Sequence, residues 1–191
     1  MKRIAALFCY WLFTSFVFGQ TQSLPVYKPT VFDKDWLVTP VLQKAGVYQA
    51  NGGKDLVLAN GLIVRRFRIS PNLATVDYQN LTTGEQLVRS VRPEAVLMID
   101  GQKYPIGGLY GQKEHAYLRE EWIDGFTANP ADFQFRTFAV SPITSFVHWQ
   151  SRTWTSNHKQ PTGKELTLLF SSKVPALRDI TVTVHYALYD G

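Results

Sequence analysis

"LVLANGLIVRRFRIS", residues 56–70, is the stretch on which the fold turns. Two apolar, β-favouring runs flank Asn60-Gly61, a dipeptide that tolerates the positive φ angles of a tight reverse turn, so the stretch predicts an antiparallel hairpin. Successive side chains of a strand point to opposite faces. The pleat therefore sends Arg65 to one side of the second strand and Arg66 with Arg68 to the other. Split this way, the three arginines do not form the one-sided basic stripe that tracks phosphates, and nucleic acid is not an expected partner.

Working outward, the same grammar recurs. "NLATVDYQNLTTGEQLVRS" (72–90) reads as a strand, a polar turn at Asn80 to Gly84 and a further short strand. Asn80-Leu81-Thr82 is also a glycosylation sequon, but the turn accounts for its residues. "EAVLMIDGQKYPIGG" (94–108) is another hairpin with Asp100-Gly101 at its tip, and Pro105 suits an edge or strand end. Strand patterns return in "FQFRTFAV" (133–140), "SFVHWQSRTW" (145–154), "KELTLLFSS" (164–172) and "ITVTVHYALYDG" (180–191). In the last, Ile180, Val182, Val184, Tyr186 and Leu188 share a face, and Asp190-Gly191 reads as the first half of a hairpin turn. Between Gly107 and Pro130 the alternation fades, leaving room for one short helix around His115 to Trp122 in a long connection of the kind that often carries function.

Many short strands separated by turn residues need a second layer to cover their apolar faces, so the expected fold is all-β, an antiparallel two-layer sandwich. Residues 20–55, with Pro25, Pro29 and Pro40, read as an extended lead-in, and residues 56–191 as the sandwich domain. Residues 1–19 read as an export signal: Lys2 and Arg3 precede an apolar run from Ile4 to Phe18, with Val17 and Gly19 before Gln20. The run is short for a membrane span of about 20 residues. Cys9 lies inside it behind bulky Phe8, a poor site for lipid attachment.

Removing Lys2 and Arg3 from the 20 basic residues leaves 18 against 15 acidic, a formal charge of +3 that demands no electrostatic partner. The only cysteine leaves with the signal, so neither a disulfide nor a thiol nucleophile is expected in the mature chain. At about 170 residues it is long enough to bury a core. His115, His148, His158 and His185 show no metal-ligand spacing, and neither a metal nor a cofactor is expected. "SNHK" (156–159) lacks the helix start that a Ser-x-x-Lys catalytic pair needs, and "GGLYGQK" lacks the strand-loop-helix setting of a phosphate loop.

The acidic cluster Glu120, Glu121 and Asp124 beside Trp122 has the residue types of sugar-bond hydrolysis, although a solvated face is the simpler account. Among aromatics, Trp149 is mid-strand and suits the core. Trp122 and Trp154 lie where strands give way to loops, and with Asp124 they are the candidates for carbohydrate contact.

In their order, "LANGLIVRRFRISPNLATVDYQNLTTGEQLVRSVRPEAVLMIDGQKYPIGG", "AYLREEWIDGFTANPADFQFRTFAV" and "VTVHYALYDG" resemble the N-terminal β-supersandwich domain of exported bacterial glycoside hydrolases of the α-galactosidase type, family 36. The likeness covers about Leu56 to Gly191 and extends to the galactose-mutarotase type of sandwich. It implies a non-catalytic domain that packs on a following (β/α)8 barrel and shapes its active-site cleft, with an α-galactoside as the carbohydrate partner of the whole enzyme. Both catalytic aspartates of that family lie on the barrel, and no position here matches their motifs, so no catalytic residue is carried over. On this reading the chain is the front of a longer exported protein, periplasmic or secreted, and the piece folds poorly alone because missing strands leave apolar surface uncovered; a homo-oligomer stays open. A stand-alone secreted carbohydrate-binding sandwich is the alternative. A mutarotase-like enzyme would need His148 or His185 to meet Glu120 at a sugar ring.

Overall fold

The computed structural model describes residues 23–29, 35, 37–144 and 161–191. The described chain is all-β, with three antiparallel sheets. A five-stranded meander runs β1 (Gly46–Ala50), β2 (Asp55–Ala59), β3 (Ile63–Arg68), β4 (Ala74–Asn80) and β5 (Glu85–Gln86). A hairpin joins β6 (Ala95–Ile99) to β7 (Gln102–Ile106), and a three-stranded sheet is ordered β10 (Thr181–Tyr189), β9 (Gly163–Ser171), β8 (Gln134–Pro142).

The hairpin expected at residues 56–70 forms, with Leu56 opposite Phe67 and Leu58 opposite Arg65. Its turn closes because the Asn60 side-chain carbonyl accepts the backbone N–H of both Leu62 and Ile63 at 3.0 Å, and Gly61 takes φ 87°. In the 80–84 turn, Asn80 Oδ1 likewise accepts from the Thr82 N–H (3.0 Å) and hydroxyl (2.7 Å). Asp100 and Gly101 both adopt positive φ at the β6–β7 tip, as the dipeptide predicts.

The inner face of the meander carries Leu56, Leu58 and Phe67 against Leu166, Leu168, Phe170 and Leu188 of the three-stranded sheet. Phe67, Phe133 and Phe170 are fully buried, and removing each such side chain from water stabilises the sandwich by roughly 1.5–3 kcal/mol. The alternation in β10 holds: Val182, Val184, Tyr186 and Leu188 turn inward, whereas Thr181, Thr183 and His185 are exposed. Asp190 ties this end to its neighbours, its carboxylate accepting the Ala45 N–H (2.9 Å) and the Thr162 hydroxyl (2.6 Å).

Two elements differ from expectation. The 20–55 segment, read as an extended lead-in, supplies the edge strand β1, and Val26 forms a parallel bridge to Gln49, with Tyr27 N–H donating to the Gln49 carbonyl at 2.8 Å. Its prolines break up the pattern but leave "GVYQA" free to pair, and β2 otherwise has an open edge for it to cover. The helix is one turn, α1 (Glu120–Ile123), and does not reach back to His115, which adopts φ 57°. A left-handed residue cannot continue a right-handed helix. The strand expected at 145–154 and the 156–159 loop, with His148, Trp149, Trp154 and His158, lie outside the described residues.

Candidate functional site

The outer face of the meander holds a compact charge network. Asp55 of β2 is fully buried and faces Arg66 and Arg68 of β3, because one pleat face collects every second residue. Its Oδ1 accepts from Arg68 Nε at 2.5 Å and its Oδ2 from Arg66 Nη1 at 3.0 Å, with Asn51 Nδ2 donating to the same oxygen. Opposite Arg66 on β4 stands Asp77, 3.9 Å from Nε. A bulge between Arg66 and Phe67 sets this register: Arg66 faces Asp77, Phe67 faces Thr75, and Val76 has no opposite residue.

The connection after β7 brings the remaining carboxylates to this network. Glu120 grips Arg66 with both oxygens, one at 2.7 Å from Nη1 and the other against Nη2. Asp124 accepts from Arg68 Nη1 and lies 3.2 Å from Lys54 Nζ. Hydrogen bonding from Arg66 holds the Glu120 carboxyl below its ordinary range, and hydrogen bonds from Arg68 and Lys54 do the same for Asp124. Glu121 pairs with Arg119 at 2.6 Å. All three carboxylates of the cluster are thus ion-paired, and the hydrogen bonds to Glu120 and Asp124 favour their ionised form.

Trp122 and Asp124 are therefore brought onto one helical turn, whereas Trp154 lies outside the described residues. Trp122 is half-buried against Val76, Leu109, Ile123 and Phe126, and the cations of Lys113 and Arg119 lie 5.1 and 5.7 Å from its ring centroid. Asp124 faces Arg68 and Lys54. Sequence reasoning placed Arg66 and Arg68 on one face but missed that Asp55 and Asp77 share it. The alternation in "KDLVLA" and "ATVDYQ" carries that signal once the strands are paired.

Three other polar sites are structural in character. Between the layers, Glu94 accepts the Thr75 N–H (2.6 Å), the Thr75 hydroxyl (3.0 Å) and the Tyr186 hydroxyl, and pairs with Arg65, whose guanidinium lies 4.4 Å from the Tyr186 ring centroid. Burial, then the Glu94 charge, pushes the Tyr186 hydroxyl up. Buried Asp132 accepts from the Tyr110 hydroxyl at 2.5 Å and from Asn129 Nδ2 at 3.2 Å; burial raises its carboxyl above the ordinary value. His185 meets Glu165 on the outer face of the three-stranded sheet, with Thr167 Oγ1 at 3.5 Å. Glu120 faces the meander's outer side, so His185 and Glu120 do not converge as a mutarotase-like mechanism requires.

Among the described residues no group of His, Cys, Asp and Glu is arranged to hold a metal ion, and no helix is long and apolar enough to cross a membrane. Comparison with protein-family models finds no match, and comparisons with curated proteins and with solved structures find none either.

Proposed function

We propose that this chain is the non-catalytic β-sandwich domain of an exported glycoside hydrolase of the α-galactosidase type, packing on a (β/α)8 catalytic barrel and shaping its cleft. The observation that carries the reading is the state of the 120–124 cluster. Its carboxylates have the residue types of glycoside hydrolysis, yet Arg66, Arg68, Lys54 and Arg119 engage them all. A retaining glycosidase needs one carboxyl protonated and one free to attack. The cluster instead fastens the 107–130 connection to the meander, which suits a scaffold. The order of the short motifs from Leu56 to Gly191 supports the family.

The test is to sequence the coding region beyond the Gly191 codon and to assay the encoded protein on p-nitrophenyl α-galactoside. Retaining hydrolysis by a longer product, and none by residues 1–191 alone, is expected. A stop codon immediately after Gly191, or turnover by this chain alone, overturns the reading.

A further inference from the structure

We propose that the outer edge of β1 is a docking site for an extended, proline-poor peptide strand from another protein, and that the chain's own segment 24–29 occupies it as a weak, displaceable ligand. That segment straddles the edge. Leu24 is buried in the main core with Ala45, Val47 and Leu56, whereas Tyr27, an odd number of residues on and so on the opposite face, packs with Tyr48 against Val57, Ala59 and Val64. Among the described residues, all the hydrogen bonds of the segment go to Gln49. The Gln49 N–H donates to the Pro25 carbonyl at 2.9 Å, the Tyr27 N–H to the Gln49 carbonyl at 2.8 Å, and Gln49 Nε2 to the Leu24 carbonyl at 2.7 Å. One parallel bridge, Val26 to Gln49, stands where a full strand would make a ladder.

Two prolines account for the single bridge. The backbone groups of every second strand residue point to the same side, so those of Val47 face the edge as those of Gln49 do. In the register set by Val26 and Gln49, the next rung needs an N–H at position 25 to meet the Val47 carbonyl, and Pro25 has none. On the other side the matching N–H would belong to Pro29, and β1 ends at Ala50. Among the described residues no hydrogen bond joins segment 24–29 to Val47. An edge with an unmet rung is a template for another strand. A peptide with an aliphatic residue at the place of Leu24, an aromatic at that of Tyr27 and any residue but proline at that of Pro25 makes the bonds the segment makes and one more. The segment of a second copy carries the same prolines and gains nothing by exchange, so the occupant is a strand of a different protein.

The experiment is an NMR titration of the isotope-labelled full chain with two synthetic peptides, residues 23–29 unaltered and the same residues with Pro25→Ala. Saturable shifts of the Val47 and Gln49 amides are expected with the Pro25→Ala peptide, at a Kd on the order of 1 mM. The unaltered peptide, short of one hydrogen bond, should bind about fivefold more weakly. Introducing Pro25→Ala into the chain itself adds the rung within the molecule, so it should weaken peptide binding by a similar factor. Tyr27→Ala in the chain loosens the resident segment and should strengthen binding. A merely structural role for the segment predicts neither change. Pro25 is exposed, so its variant remains informative if Tyr27→Ala fails to fold. Absence of saturable shifts up to about 10 mM peptide overturns the proposal. So do equal affinities for the two peptides, or binding indifferent to Pro25→Ala in the chain.

Discussion

Arg66 is the residue on which the outer face depends. Its guanidinium is mostly buried and joins three strands to α1 through Asp55, Asp77 and Glu120. Removing it leaves fully buried Asp55 with Arg68 as its remaining cation, and breaking a buried ion pair from one side costs about 3–5 kcal/mol. Glu120 has a side chain 60% exposed, so losing it strips an ion pair that water already screens. In urea unfolding, Arg66→Met should therefore destabilise by about 3 kcal/mol and Glu120→Gln by at most about 1 kcal/mol. Equal effects would show that the two residues act as a single exposed pair.

At the scale of elements, α1 is too short to be stable by itself; a single turn cannot recover the cost of helix nucleation. Ile123 and Phe126, packed on Ala74, Val76 and Leu109, hold it on the apolar side, and the Arg66–Glu120 and Arg68–Asp124 pairs hold it on the polar side. The polar half is sensitive to acid. Both carboxyls titrate lower when folded than when unfolded, where the usual values are about 3.9 for Asp and 4.3 for Glu. Their stabilisation is fully present above those values and is lost as pH falls through the lower folded ones. Asp132, raised by burial, works in the opposite direction. The double variant Glu120→Gln/Asp124→Asn should therefore lose less unfolding free energy than the unaltered protein between about pH 5 and pH 3, measured by urea titration at each pH. An identical loss would place the acid sensitivity elsewhere.

The described residues bury a core that includes Phe67, Phe133 and Phe170 but leave apolar side chains on the surface. Val96 and Met98 of β6 project outward, 53% and 63% exposed, and Leu37, Val38 and Leu42 are more exposed still. Strand β10 is nine residues long, has no proline and, among the described residues, borders only β9 in its sheet. Open edges and apolar patches favour association. Sedimentation velocity over a range of concentrations should show reversible self-association, reduced by Val96→Lys/Met98→Lys. A concentration-independent monomer would show that these surfaces are tolerated in water.

What the sequence determined by itself was local. Period-two alternation placed the strands of the 56–70 hairpin, the 94–108 hairpin and β10, and the Asn-Gly, Asp-Gly and Asn80–Gly84 signals placed the turns. All depend on backbone preferences within a few residues. The all-β class followed, as did the division of Arg65 from Arg66 and Arg68. The tertiary structure alone decided which groups meet. Asp55 joins Glu120 through Arg66, His185 meets Glu165 rather than Glu120, Glu94 satisfies Tyr186, and Tyr27 stands over strands β2 to β4. These partners are distant in sequence, and their meeting depends on strand order, a bulge and the packing of layers, none of which a local pattern encodes.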